Sequence, residues 1–180
     1  MFNDFKPVLK ILLRFVILYV VMVLAYQFYL NEFKNTGLDP VSAWVAEQAA
    51  FVQQSLGYPS HLVPGTPQQE TNWFYVSGRY VSRMVEGCNA ISVMVLFLAF
   101  IFAFYQGFKT FVFAGLGFVF LHIINVLRIA GLNVLLVELP QYSKIGHDYL
   151  FPAIIYGSVV VLWLIWIKFF ALKNPEHEVS

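Results

Sequence analysis

The chain has 180 residues, of which 59% are hydrophobic and only 12% charged, and its mean hydropathy is +0.70. Soluble domains average about 45–50% apolar and about 25% charged residues, so this composition predicts an integral membrane protein. A formal net charge of +1 gives no electrostatic basis for binding nucleic acid. The only cysteine, Cys88, excludes an intramolecular disulfide.

Residues 1–30 are predicted to form an N-terminal transmembrane anchor. An apolar run over residues 15–30 follows the basic residues Lys6, Lys10 and Arg14. A secretory signal peptide begins in the same way, but no small-residue cleavage site follows the apolar run here. The sequence therefore favours a span that is not cleaved.

Residues 31–87 are predicted to form an extracytoplasmic segment that begins with a helix. Asp39-Pro40 suits the N-cap and first turn of this helix, and Gly57 suits its end. One stripe recurs along it at helical spacing: Val41, Trp44, Val45, Gln48, Val52 and Leu56. Tryptophan with little charge fits a helix in the membrane interface. A helix that packs on the spans is an equal alternative.

The rest of this segment is predicted to be a loop and a hairpin. Residues 61–71 hold two prolines and a glycine, which is typical of a loop. Residues 73–76 and 79–85 have the composition of strands and flank Ser77-Gly78, which predicts a β-hairpin. The expected fold class is an all-α membrane protein with about four transmembrane helices. A small extracytoplasmic helix and the hairpin lie between the first and second.

Residues 88–170 are predicted to form a three-span core, followed by a cytoplasmic tail over residues 171–180. The three apolar segments are residues 90–105, 111–127 and 150–170. A tight turn over residues 106–110 joins the first two. Gly115 and Gly117 lie inside the middle segment and are expected to permit close contact between helices.

The distribution of basic residues predicts that both termini are cytoplasmic. Membrane proteins carry an excess of Lys and Arg in their cytoplasmic loops. With four spans, six basic residues near the span ends fall on one side: Lys6, Lys10, Arg14, Lys109, Lys168 and Lys173. Five others fall on the opposite side but are spread over much longer segments: Lys34, Arg79, Arg83, Arg128 and Lys144.

Three residues whose side chains could take part in catalysis are predicted to lie together at the outer membrane boundary. Cys88 precedes the second span, Arg128 follows the third and His147 precedes the fourth. A cysteine beside a histidine provides a thiolate nucleophile and an acid/base. A neighbouring arginine can stabilise the negative charge of a tetrahedral intermediate. The pattern indicates acyl transfer, in which a peptide bond is cleaved through a thioester.

Each of these residues also has a purely structural alternative. Cys88 could be an apolar filler, Arg128 could extend to lipid headgroups, and His147 could be a solvated loop residue. Asn125 lies three residues before Arg128 on the same helix face, which favours an inward polar cluster. His122 is interpreted as a packing residue. The sequence contains no His-x-x-x-His motif and no cysteine pair, so neither a metal site nor a cofactor is predicted.

Three short motifs resemble the exosortase/archaeosortase family of membrane transpeptidases. They are Val-Glu-Gly-Cys-Asn-Ala-Ile-Ser at residues 85–92, Asn-Val-Leu-Arg at residues 125–128, and Gly146-His147. The order Cys, Arg, His matches the family, and the sequence around the cysteine is most similar to the exosortase F subfamily. The resemblance covers residues 72–170.

The resemblance implies a role for each of the three residues. Cys88 would be the nucleophile, His147 the acid/base and Arg128 the stabiliser of the intermediate. Three neighbours are expected to support them: Asn125, Glu86 and Asn89. Many members have more spans than this chain, and most have Ser-Gly after the cysteine, where this chain has Asn89-Ala90.

The resemblance also implies substrates and a location. The substrates would be exported proteins with a C-terminal sorting tail, cleaved at the periplasmic face of a bacterial inner membrane. Membrane lipid and an unidentified amine acceptor would be the other partners. Two alternatives remain open. The chain could be a non-enzymatic subunit or scaffold of a cell-envelope assembly, or a Cys-His acyltransferase that acts on lipid-linked material.

Overall fold

The computed structural model describes residues 6–171. The main elements in chain order are α1 (Lys6–Phe33), α2 (Pro40–Ser55), β1 (Ser60–Pro64), β2 (Asn72–Val76), β3 (Arg79–Met84), α3 (Ile91–Ala103), α4 (Phe108–Glu138), α5 (Ser143–Ile145) and α6 (Phe151–Trp166). A π-helical turn, Gly146–Leu150, leads into α6, and a second one, Ile167–Ala171, follows it. Of the predicted cytoplasmic tail, all but Ala171 lies outside the described residues, as do residues 1–5 of the predicted anchor.

Three helices are long and apolar enough to cross a membrane: Val8–Phe33, Phe108–Glu138 and Gly146–Phe170. The second predicted span corresponds to α3, which has only 13 residues. A helix of this length extends about 20 Å, whereas the hydrocarbon core of a bilayer is about 30 Å thick. The described residues therefore form a mainly helical fold with three candidate spans.

The fourth helix, α4, corrects the expectation that the residues after Arg128 form an outer segment. The helix continues past Arg128 to Glu138, because Ile129, Ala130 and Asn133 extend its buried face. Pro140 follows the end of the helix, and proline disfavours helical geometry in the residue before it. Arg128 thus lies inside a helix, twenty residues after Phe108. This spacing corresponds to about 30 Å, close to the thickness of the hydrocarbon core.

A three-stranded antiparallel sheet in the order β1-β2-β3 corrects the all-α prediction and the loop predicted for residues 61–71. β1 pairs with β2 from Ser60 opposite Val76 to Pro64 opposite Asn72. Proline is tolerated here because β1 is an edge strand, where a missing N–H need not break a ladder bond.

The other two strands, β2 and β3, form a tight hairpin. Ser77 and Gly78 link them with φ angles of 52° and 75°. Positive φ at both central residues is what a two-residue type I′ turn requires. The predicted Ser-Gly turn is therefore present, in a sheet that has one strand more than expected.

The second helix, α2, packs against α4. Asp39 caps its first turn, because the carboxylate Oδ1 accepts the N–H of Ser42 at 3.0 Å. The buried face consists mostly of small residues, which permit close approach to α4: Ser42, Val45, Ala46, Ala49, Ala50 and Gln53. Trp44 and Leu56 of the predicted stripe are more than half exposed. The predicted stripe therefore included large side chains that are exposed and omitted the alanines that are buried.

A second core joins α3, α4 and α6 through aromatic and aliphatic side chains. A Cβ atom added at Gly117 would collide with the ring of Phe97, so this glycine permits the close contact that the sequence predicts. Gly115 faces open space and has no such role.

Candidate active site

A cavity of about 660 Å³ lies where the end of β3, the second half of α4 and the start of α6 meet. Cys88, Arg128 and His147 all line this cavity. Each comes from a different element: the turn after β3, the middle of α4, and the π-helical turn before α6. The three residues that the sequence singles out therefore share one cavity, although their roles stay predictions.

The backbone of Cys88 is fixed to α4. The residue lies in a 3₁₀ turn, Glu86–Asn89, and its side chain is partly buried with a free thiol. Its carbonyl oxygen accepts from Asn125 Nδ2 at 3.0 Å and from Arg128 Nη2 at 3.4 Å. A guanidinium has five N–H donors, so this contact leaves Arg128 other donors. These two bonds hold the backbone of the cysteine turn beside Arg128.

Asn89 connects the cysteine turn to three helices. Its Nδ2 donates to the Tyr26 hydroxyl at 2.7 Å and to Ser42 Oγ at 2.9 Å. Its Oδ1 accepts the N–H of Ile91 at 2.9 Å, at the start of α3. Asn89 is almost fully buried, and every bond that it makes is internal. It is thus placed to hold the residue next to Cys88, and it does not face the cavity.

The residue after Asn89 carries backbone strain. Ala90 has φ 60° and ψ 13°, in the left-handed region. This conformation costs a non-glycine residue about 1–2 kcal/mol. It turns the chain from the cysteine turn into α3.

His147 contacts a carboxylate, and its side chain is largely exposed. Its Nδ1 lies 2.8 Å from Asp148 Oδ1, and 72% of its side-chain surface is accessible. Among residues 6–171, no hydrogen bond joins His147 to the Cys88 thiol. A carboxylate on Nδ1 fixes the tautomer and leaves Nε2 as the free ring nitrogen.

Sequence reasoning did not single out Asp148 as a candidate site residue. Adjacent residues on a regular helix do not face each other, so helical spacing does not predict that His147 and Asp148 are in contact. Asp148 lines the same cavity as His147. Adjacency to the predicted acid/base is the one signal that could have identified it.

Glu86 and His122 lie apart from the cavity. Glu86 is exposed and borders a small separate pocket with Asp39 and Glu70. His122 Nε2 lies 2.8 Å from Gln48 Oε1, and its ring stacks on Trp44 with the centroids 4.8 Å apart. Both contacts of His122 join α4 to α2, which agrees with a packing role. Of the three expected supporting residues, only Asn125 and Asn89 hold the cysteine turn.

The cavity presents a thiol, an imidazole bonded to a carboxylate, and a guanidinium. This set can support nucleophilic attack, proton transfer and stabilisation of an oxyanion. Within the described range, no three His, Cys, Asp or Glu residues are grouped so that they could hold a metal ion. No known protein family, curated protein or solved structure matches the chain.

Proposed function

We propose that the protein is a membrane-embedded cysteine peptidase or transpeptidase that acts through a thioester on Cys88. The observation that supports this most is the shared cavity, which is lined by Cys88, Arg128 and His147 from three separate elements. A structural role for all three residues gives no reason for them to meet at one cavity. The family resemblance of the same three residues points to the same chemistry.

The proposed reaction begins with attack of the Cys88 thiolate on a substrate carbonyl carbon. His147 accepts the thiol proton and later donates it to the leaving amine. Arg128 stabilises the oxyanion of the tetrahedral intermediate. The peptide C–N bond then breaks and leaves a thioester, which water or a second amine resolves. Asp148 holds the imidazole in the tautomer that this role requires.

Formation of the thiol–imidazole contact requires His147 to turn toward Cys88. Its ring is 72% exposed, so the surrounding side chains leave it room to turn. Catalytic hydrogen bonds often tighten only when substrate is bound.

The proposed substrates are exported proteins with a C-terminal sorting tail, cut at the periplasmic face of a bacterial inner membrane. The depth of Arg128 supports this location. It lies twenty residues from the start of α4, while Lys109 lies at that start. With Lys109 on the cytoplasmic side, the cavity falls near the opposite boundary of the hydrocarbon core. This arrangement requires the short helix α3 to return the chain to the cytoplasmic side, so the proposal includes a fourth crossing although α3 itself extends only about 20 Å.

The test is surface proteomics of a Cys88→Ala strain beside a wild-type strain at matched expression. We expect exported proteins to retain their C-terminal tails in the Cys88→Ala strain and also in a Cys88→Ser strain. His147→Ala should slow processing by about 10²–10⁴-fold. His61→Ala is the matched control, because His61 stacks on Tyr75 of β2 and does not line the cavity. Normal processing in the Cys88→Ala strain would rule out nucleophilic catalysis.

A non-enzymatic membrane subunit is the second candidate. The observation that favours it is the missing hydrogen bond between Cys88 and His147 among residues 6–171. In that case, Cys88→Ala would leave tail processing unchanged, and the cavity residues would contribute to assembly with a partner. If the protein is instead a Cys-His acyltransferase, Cys88→Ala would leave tail processing unchanged and would alter the lipid-linked products.

A further inference from the structure

The last strand, β3, has a free edge beside the cavity. It pairs with β2 on one side only, because the strand order is β1-β2-β3. Four consecutive residues line the cavity: Ser82, Arg83, Met84 and Val85. Successive residues of a strand point to opposite faces. Val85 lies beyond the end of β3, so three consecutive strand residues, Ser82 to Met84, line the cavity, as expected for a cavity beside the free edge.

The hydrogen bonds of β2 show which backbone groups lie at this edge. The N–H of Gly65 donates to the carbonyl of Thr71 at 2.8 Å, and the N–H of Ser77 donates to that of Pro59 at 2.7 Å. Odd-numbered residues of β2 therefore bond toward β1, and even-numbered residues bond toward β3. Asn72 lies opposite Met84, so the backbone of Met84 faces β2.

Arg83 must then face the other way. Its backbone N–H and C=O alternate with those of Met84 and point away from the sheet. The bond from Thr71 Oγ1 to the Met84 carbonyl, 2.6 Å long, agrees with this direction. Within the described part of the chain, no strand pairs with this side of β3. Arg83 thus offers one donor and one acceptor along the cavity, five residues before Cys88.

A second unpaired donor lies on α4, next to β3. Asn133 on α4 is fully buried and lines the cavity. Its Oδ1 accepts from Ser82 Oγ at 2.6 Å, whereas its Nδ2 has no hydrogen-bond partner among residues 6–171. A buried donor without a partner is unfavourable, and a ligand carbonyl would remove the penalty.

We propose that the cavity binds its substrate as an extended peptide that adds a strand to the free edge of β3. The peptide pairs with the backbone N–H and C=O of Arg83, and one of its carbonyls accepts from Asn133 Nδ2. Strand addition obtains affinity from the main chain and selectivity from alternate side chains. Because β3 continues directly into the cysteine turn, a peptide along Arg83 leads to Cys88. This inference deepens the proposed function, since it defines the conformation in which that site takes its substrate.

The test uses the full-length Cys88→Ala protein in lipid nanodiscs, so that bound peptide is not consumed. Peptides that bind it are selected from a phage-displayed library of random nonapeptides, and the Kd of the best one is measured. Arg83→Pro removes the edge N–H, and Arg83→Ala is its matched control because it keeps that N–H. Proline is tolerated where the N–H points out of an edge strand. We expect Arg83→Pro to bind about tenfold more weakly than Arg83→Ala, as for one lost hydrogen bond.

Two further measurements do not depend on the fold of Arg83→Pro. Asn133→Asp replaces the Nδ2 donor with an acceptor and should weaken binding by a similar factor. A scan of the selected peptide with single N-methyl groups should weaken binding at one position, the residue whose N–H bonds to the Arg83 carbonyl, and leave its two neighbours unaffected, since only alternate residues bond to an edge strand. Equal Kd values for Arg83→Pro and Arg83→Ala, with uniform tolerance of N-methyl groups, would overturn the inference. Failure to select any peptide would overturn it as well.

The peptide-binding measurements and the tail-processing measurements can give different outcomes, so they test strand addition and the peptidase proposal separately. Loss of binding at one N-methylated position together with normal tail processing in the Cys88→Ala strain would keep the strand-addition site and refute the peptidase. Retained tails together with uniform N-methyl tolerance would keep the peptidase and refute strand addition.

Discussion

The first half of α4, residues 108–121, packs mainly through apolar and aromatic side chains. The second half, residues 122–138, buries the amides of Asn125 and Asn133 and partly buries the guanidinium of Arg128 among small apolar residues. In the first half, Gly117 admits the ring of Phe97, and Phe113 lies 5.0 Å from Trp166 between ring centroids. In the second half, Asn125 and Arg128 bind the carbonyl of Cys88.

This difference separates two ways of fixing a structure on one helix. The first half is specified by volume, because apolar packing has no preferred bonding direction. The second half is specified by direction, because a hydrogen bond forms only when donor and acceptor are correctly oriented. Substitutions in the first half should therefore act on stability, and substitutions in the second half on the chemistry of the cavity.

The largest expected effect is on catalysis, from Arg128→Lys. Lysine keeps the charge but loses the planar guanidinium and its several donors. If Arg128 stabilises the oxyanion, processing of a tailed substrate should fall by about 10²–10³-fold. The thermal unfolding midpoint should change little. The measurement is single-turnover processing, with Arg79→Lys at the exposed start of β3 as the control. Wild-type rates in Arg128→Lys would remove Arg128 from the chemistry.

The next effect is on stability and compares Gly117→Ala with Gly115→Ala. The added methyl group at Gly117 meets the Phe97 ring, and overpacking of this kind costs about 1–3 kcal/mol. The same change at Gly115 meets nothing within 4 Å. It should be neutral or stabilise the helix by up to about 1 kcal/mol. Denaturant unfolding in micelles measures both. Equal unfolding free energies would show that the first half of α4 is not specified by volume.

The sequence predicts a site residue only where the residue itself or its immediate neighbours in the chain indicate its role. Cys88, Arg128 and His147 could be identified because each is chemically distinct and stands near an apolar run. Asn133 gives no such signal: its partner Ser82 is 51 residues away in the sequence, and only the tertiary fold brings the two together.

The same distinction applies to the fold. Asp39 and Ser77-Gly78 mark a helix start and a turn through their own backbone preferences, and both features are present. The strand β1 was missed because Pro64 resembles loop sequence, while its pairing with β2 is non-local. The extension of α4 beyond Arg128 was missed because a charged residue was taken as the end of a span. Its stability comes from packing on α2, which no local pattern reports.

The smallest effect is expected from His122→Ala, at the boundary between the two halves of α4. His122 does not line the cavity, so processing of a tailed substrate should stay within a few-fold of wild type. Loss of the bond to Gln48 and of the stacking on Trp44 should lower the free energy of unfolding by about 1–2 kcal/mol. A double-mutant cycle with Gln48→Ala isolates the hydrogen bond, and a coupling of at least about 0.5 kcal/mol is expected for residues in contact. Loss of processing with unchanged stability would place His122 in the catalytic machinery. Such a result would extend the chemical role on α4 from Asn125 back to His122, whereas the expected result confines it to Asn125 and the residues after it.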